Sequence, residues 1–151
     1  MSGKPIASRD LIVNRRARHD YTLSDTIEAG ISLRGSEVKS LRAGKANLLE
    51  AFVRIDRRGA WLVGCHISPY TEANQLNHEP MRERQLLVHG HELSRLAKAT
   101  RDTGVTIVPT RIYLKGSLVK VEIAVAKGKK LHDKRHALKE RQAARDLARR
   151  I

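Results

Sequence analysis

Between Tyr21 and Leu33 the apolar side chains Tyr21, Leu23, Ile27, Ala29, Ile31 and Leu33 all fall on one parity. A repeat of two is the spacing of a strand with one buried face, and a helix with its repeat of 3.6 would scatter these residues around its axis. Gly30 inside the run predicts a bulge or a close backbone approach. The same pattern returns in shorter pieces. Ala51–Ile55 and Trp61–Ile67 flank Asp56-Arg57-Arg58-Gly59, a hairpin connection. Val105–Val108, Arg111–Leu114 and Leu118–Val125 add three more strands, the last two joined by a turn at Lys115-Gly116-Ser117. Two helices interrupt them. Ser36–Arg42 starts at a capping serine and stops before Gly44, and His91–Asp102 stops before Gly104. Six short strands with inserted helices predict a mainly β fold, an OB-like antiparallel β-barrel with peripheral helices.

Charge then separates the chain into parts. Its 151 residues carry 30 Lys and Arg against 16 Asp and Glu, a formal charge of +14. So strong a positive field predicts a polyanionic partner. Half of the excess lies beyond residue 125, where ten basic residues face three acidic ones. Large apolar residues are scarce there, so this segment cannot offset its own ordering entropy. The expected organisation is a mobile lead-in over residues 1–10, a folded body over 11–125, and a basic C-terminal tail over 126–151. The tail is expected to be disordered when free and helical when surrounded by phosphate. No apolar run approaches a membrane span, and the first residues lack the apolar core of a signal peptide. The expectation is a cytoplasmic protein, monomeric when free, with no membrane partner.

Catalytic motifs fail on inspection. His89-x-His91 lacks further ligands, so no metal and no cofactor is expected. Ala43-Gly44-Lys45-Ala46 resembles the end of a P-loop, but Lys39 and Ala46 replace the required Gly and Ser/Thr. Asp20, Asp25, Glu28 and Glu37 could include a metal-holding pair, although ordinary charged positions explain them more simply. The single cysteine, Cys65, lies in an apolar run and reads as core. The chain is not expected to be an enzyme.

Three segments are far more specific. They are Asn14-Arg15-Arg16-Ala17-Arg18-His19-Asp20-Tyr21 with Glu28-Ala29-Gly30, Glu37–Asn47, and Ala126-Lys127-Gly128-Lys129-Lys130-Leu131-His132-Asp133-Lys134-Arg135. With His66–Tyr70 and Arg82-x-Arg84-Gln85-Leu86-Leu87 they closely resemble the SmpB (SsrA-binding protein) family of bacterial trans-translation. The resemblance implies an adapter that binds the tRNA-like domain of tmRNA and delivers it to stalled ribosomes. It implies an RNA-facing surface containing Glu28, Leu87 and Lys120, with His19 and Tyr21 in the same neighbourhood. It further implies that the tail enters the empty mRNA channel of the small subunit. There Lys127, Gly128, Lys129 and Lys130 would lead to His132 at the decoding centre, with Asp133, Lys134 and Arg135 close by. Thr22 and Thr26 depart from the larger apolar residues common in relatives.

The residues themselves are compatible with this reading. Lys39, Arg42, Lys45, Arg82, Arg84 and Lys120 can neutralise phosphates, although each alone could equally be a solvated charge. Glu28 repels phosphate, so at an RNA surface it would accept a hydrogen bond from a base amino group or a 2′-hydroxyl. Leu87 could be core, or could pack on a base or sugar. A permanent ribosomal protein with a threading tail and a metal-dependent nuclease remain the competing readings at this point.

Overall fold

The chain is described by a computed structural model over residues 8–70 and 77–128. Its longest alternating stretches form the centre of one antiparallel sheet: β2 (Tyr21–Ile31), β8 (Val105–Lys115) and β9 (Leu118–Gly128). Around them lie β1 (Ser8–Val13), β4 (Phe52–Asp56), β5 (Gly59–Val63) and β7 (Arg84–Leu87), in the order β1-β8-β9-β2-β7-β5-β4. A second pair joins β3 (Ala46–Asn47) to β6 (His66–Ile67). The helices are α1 (Ala17–Asp20), α2 (Gly35–Arg42) and α3 (Gly90–Ala99). No ladder joins β1 to β4, so the seven-stranded sheet is open, although β4 packs against β8.

The inner face of the sheet holds the core. Ile27 and Ala29 of β2, Ile107 and Ile112 of β8, and Val121 and Ile123 of β9 are buried there with Leu62, Leu86, Leu41 of α2 and Leu96 of α3. Cys65 lies in the same cluster, where burial pushes its thiol up to about 11. Burying a side chain of leucine or isoleucine size stabilises by about 1.5–3 kcal/mol, so this face supplies most of the driving force for folding.

Register in the central sheet shifts at Leu11 in β1, Asp25 in β2 and Thr110 in β8. The bulge at Asp25 corrects the predicted single face of Tyr21–Leu33. Asp25 has φ +47 and is bonded through its carboxylate to Arg95. One extra residue there reverses the parity, so Tyr21 and Leu23 point opposite to Ile27 and Ala29. They pack outside the sheet in a small cluster with Ala17, Val108 and Ala126. Gly30 marks a close approach rather than the bulge, since a Cβ there would lie 3.2 Å from the Leu87 Cβ. Likewise Val105–Val108 and Arg111–Leu114 are one strand, bulged at Thr110 after Pro109, which has no N–H to give the ladder.

Other boundaries differ from expectation for local reasons. The run Trp61–Ile67 breaks at Gly64, whose φ is +76 and where a Cβ would meet the Glu50 carbonyl oxygen at 2.7 Å. The chain therefore leaves one sheet and enters the other. Helix α2 is capped at Arg34 rather than Ser36, because the Arg34 N–H donates to Glu37 Oε1 at 2.8 Å. Ser36 Oγ instead pairs with His78 Nδ1. Strand β1 takes up Ser8–Asp10 from the expected lead-in, and β9 continues through Lys127 and Gly128 into the expected tail.

Candidate nucleic-acid interface

Beyond the apolar cluster at the Tyr21 end, the outer face of the sheet carries Glu28, Lys120, Glu122, Arg111 and Lys115 where the inner face is apolar. Gly30 pairs with Lys120 of β9 on one side and with Leu87 of β7 on the other. These three residues form one row across three strands, with bare backbone between a cation and an apolar side chain. Leu87 is 59% exposed, unusual for a leucine and accounted for by alternation: its neighbour Leu86 takes the core position. Two residues before Gly30, Glu28 stands on the same face with its side chain 38% exposed.

Glu28 is held by the far side of β9. The Tyr113 hydroxyl donates to Glu28 Oε2 at 2.5 Å, and Lys115 Nζ lies 3.1 Å from Oε1. The Tyr113 hydrogen bond, against a smaller opposing contribution from burial, holds the Glu28 carboxyl below its ordinary value, with Lys115 and Lys120 adding to the shift. Burial and the same hydrogen bond push the Tyr113 phenol upward. Beyond it, the Arg111 guanidinium stacks 4.1 Å from the Tyr113 ring centre and pairs with Asp10 and Glu122. The surface therefore offers a fixed carboxylate acceptor beside Lys115, Lys120 and Leu87.

Arg84 does not belong to this surface, which corrects its expected role. It shares the inner parity of β7 with Leu86 and is fully buried. Its Nε donates to Glu37 Oε2 at 2.5 Å, and its Nη1 to the Cys65 carbonyl at 2.6 Å. Arg82 Nη2 donates to the other Glu37 oxygen at 2.5 Å and keeps about a quarter of its side chain exposed. Burial would raise the Glu37 carboxyl, but the bonds from Arg82, the Arg34 amide and Arg84 outweigh it and hold it low. This cluster ties α2 to β7. A buried charge so paired cannot leave to bind phosphate without stranding its partner.

The remaining expected residues are distributed. Lys39, Arg42 and Lys45 are exposed on α2 and the turn after it, away from the row on the sheet, with Lys39 Nζ above the Tyr70 ring. His19 is exposed at the end of α1 and pairs with Asp20. Tyr21 is half-buried, at the opposite end of β2 from the row. Lys127 and Gly128 close β9, whereas Lys129, Lys130, His132, Asp133, Lys134 and Arg135 lie outside the described residues. The sequence reading missed Tyr113 and Lys115 as part of the site. Their only sequence signal is that Arg111, Tyr113 and Lys115 share one parity of β8.

The family model for SmpB protein matches residues 11–151. An SsrA-binding protein of Desulforudis audaxviator (strain MP104C) is 52% identical over 136 residues, covering 90% of this chain and 89% of the relative. Another, from Bacillus cereus (strain AH820), is 48% identical over 148 residues, covering 98% and 92%. A solved structure described as "tmRNA-SmpB: a journey to the center of the bacterial ribosome" contains a chain that superposes with a TM-score of 0.67. That chain is 43% identical, with coverage of 85% of this chain and 87% of the other. Matched along nearly its whole length, the chain belongs to the SmpB family.

Proposed function

We propose that this chain is a tmRNA-binding adapter that delivers tmRNA to stalled ribosomes for trans-translation, so that the ribosome is rescued and the incomplete product tagged. The observation that carries this reading is the row of half-buried Lys120 and Gly30 with exposed Leu87, beside Glu28, in a chain of this family. Lys120 neutralises a phosphate, Leu87 packs on a base or sugar, and Glu28 accepts from an amino group or a 2′-hydroxyl. The relatives' name, SsrA-binding protein, and the tmRNA-SmpB ribosome structure support both partners.

Away from that centre, His19 and Tyr21 at the other end of β2, Lys39, Arg42 and Lys45 on α2 and the turn after it, and the exposed part of Arg82 extend the RNA-binding surface. Residues 126–151 enter the mRNA channel of the small subunit, with His132 at the decoding centre. The chain acts in the cytoplasm as an adapter and catalyses no reaction. No described helix is long and apolar enough to cross a membrane. The open sheet curls into an OB-like barrel, a reading supported by the packing of β4 against β8.

The decisive experiment sequences the RNA that copurifies with the protein from its own cells. Enrichment of tmRNA is expected, and recovery of ordinary messages instead would overturn the proposal. Binding should also be steeply salt-dependent. If about 6–10 phosphates are neutralised, raising salt from about 50 to 200 mM should weaken affinity roughly 10³–10⁵-fold.

A further inference from the structure

We infer that Tyr113 is the positioning residue of the RNA interface, fixing the Glu28 carboxylate so that one oxygen is aimed outward for a donor on the RNA. The inference rests on the proposed role of Glu28 and assigns to Tyr113 a task that the row Lys120–Gly30–Leu87 does not explain.

A Glu side chain on a strand surface has three rotatable bonds, and ordering it on binding opposes affinity. Tyr113 removes that cost in advance. Its ring is almost fully buried and lies under the Arg111 guanidinium, so it has little freedom of its own. From β8 it reaches across β9 to Glu28 and donates its only proton to Oε2. Oε1 is met only by Lys115, whose amine lies 3.1 Å from it and 3.4 Å from Oε2, on a side chain that is 40% exposed. The two partners therefore differ in kind. A buried phenol can neither rotate away nor be replaced by water. A half-exposed lysine can turn to a phosphate and leave Oε1 to an amino group or a 2′-hydroxyl. Tyr113 fixes the acceptor, and Lys115 holds its open side until RNA arrives.

The groups facing Glu28 are Tyr113 and Lys115 from β8 and Lys120 and Glu122 from β9. Tyr113→Phe removes one oxygen and keeps the ring and its stack with Arg111. Binding of a transcript of the tRNA-like domain of tmRNA would be measured for wild type, Tyr113→Phe, Glu28→Gln and the double variant. Tyr113→Phe is expected to weaken binding about tenfold, in line with losing a hydrogen bond to a charged group. In the Glu28→Gln background it should cost nothing further, because the group it positions is already gone. A carbon-detected NMR titration of the free protein should show the Glu28 carboxyl titrating at higher pH in Tyr113→Phe, a change that general loosening of the fold would not confine to one residue.

Wild-type affinity in Tyr113→Phe, an equal loss in both backgrounds, or an unmoved Glu28 titration would each overturn the inference. Unchanged binding by Glu28→Gln would instead remove the role of Glu28 itself, and the inference with it. Tenfold or greater loss in Glu28→Gln, with no loss in Tyr113→Phe, leaves that role standing and refutes the positioning alone.

Discussion

Glu28 and Glu37 are nine positions apart, and each is bonded by two donors from other parts of the chain. Burial separates their roles. Glu37 is fully enclosed by Arg82, Arg84 and the start of α2, and both of its oxygens accept hydrogen bonds inside the protein. Glu28 has one buried partner and one exposed partner, which leaves a side of the carboxylate open to solvent. The same chemistry is therefore sealed in the core as a structural tie in one place and presented at the surface in the other. Residue type and charge do not distinguish them. Strand parity and enclosure do.

The largest test of that contrast is Glu37→Ala. It strands the Arg84 guanidinium in the core, and chemical denaturation should show a loss of about 3–5 kcal/mol. A loss below about 1 kcal/mol would mean that water reaches Arg84 and that the enclosure is not real. Glu28→Gln should do the reverse: RNA affinity falls by about 1.5–3 kcal/mol while the denaturation midpoint barely moves. If stability falls more than affinity, the two carboxylates are of one kind after all.

Acid sharpens the comparison further. Both carboxyls are held below their ordinary value of 4.5 in the folded protein. The stability they add is therefore fully present above the unfolded-state value and is lost as pH falls through the lower, folded one. Urea midpoints should hold down to roughly pH 5 and then decline. Glu37→Gln should flatten the decline more than Glu28→Gln, because solvent screens the exposed group. Equal flattening would contradict the difference in burial. The smallest effect belongs to Glu83, whose exposed bidentate pair with Arg54 ties neither core nor row. Glu83→Gln should leave both melting temperature and RNA affinity within experimental error.

Strand alternation made the β-rich body legible, and Gly64, Gly104 and Gly116 stand at breaks or turns. The bulge at Asp25 was not legible, because an aspartate at positive φ leaves no pattern in the residues around it and makes the Tyr21–Leu33 parity misleading. Strand β7 was hidden for another reason. Arg84 occupies a core position, and a buried arginine is indistinguishable from a phosphate ligand until Glu37, 47 residues away, is seen beside it. Glu28, Leu87 and Lys120 came from family resemblance. Their common plane follows only from the pairings of Gly30. Tyr113 and Glu28, 85 residues apart, meet through strand order, which no local signal encodes.

Strand β9 also sets a distance. Lys120 lies in the row with Gly30, and Gly128, eight residues later on the same strand, pairs with Tyr21. At about 3.3 Å per residue the two ends are roughly 26 Å apart. Paired on both sides along its length, the strand neither shortens nor folds back. It acts as a spacer of fixed length, with the Lys120 row at one end and Gly128 at the other. A two-residue insertion paired across β2, β8 and β9 would keep every side chain on its face and lengthen the spacer by about 7 Å, altering the reach of the protein while leaving its chemistry intact.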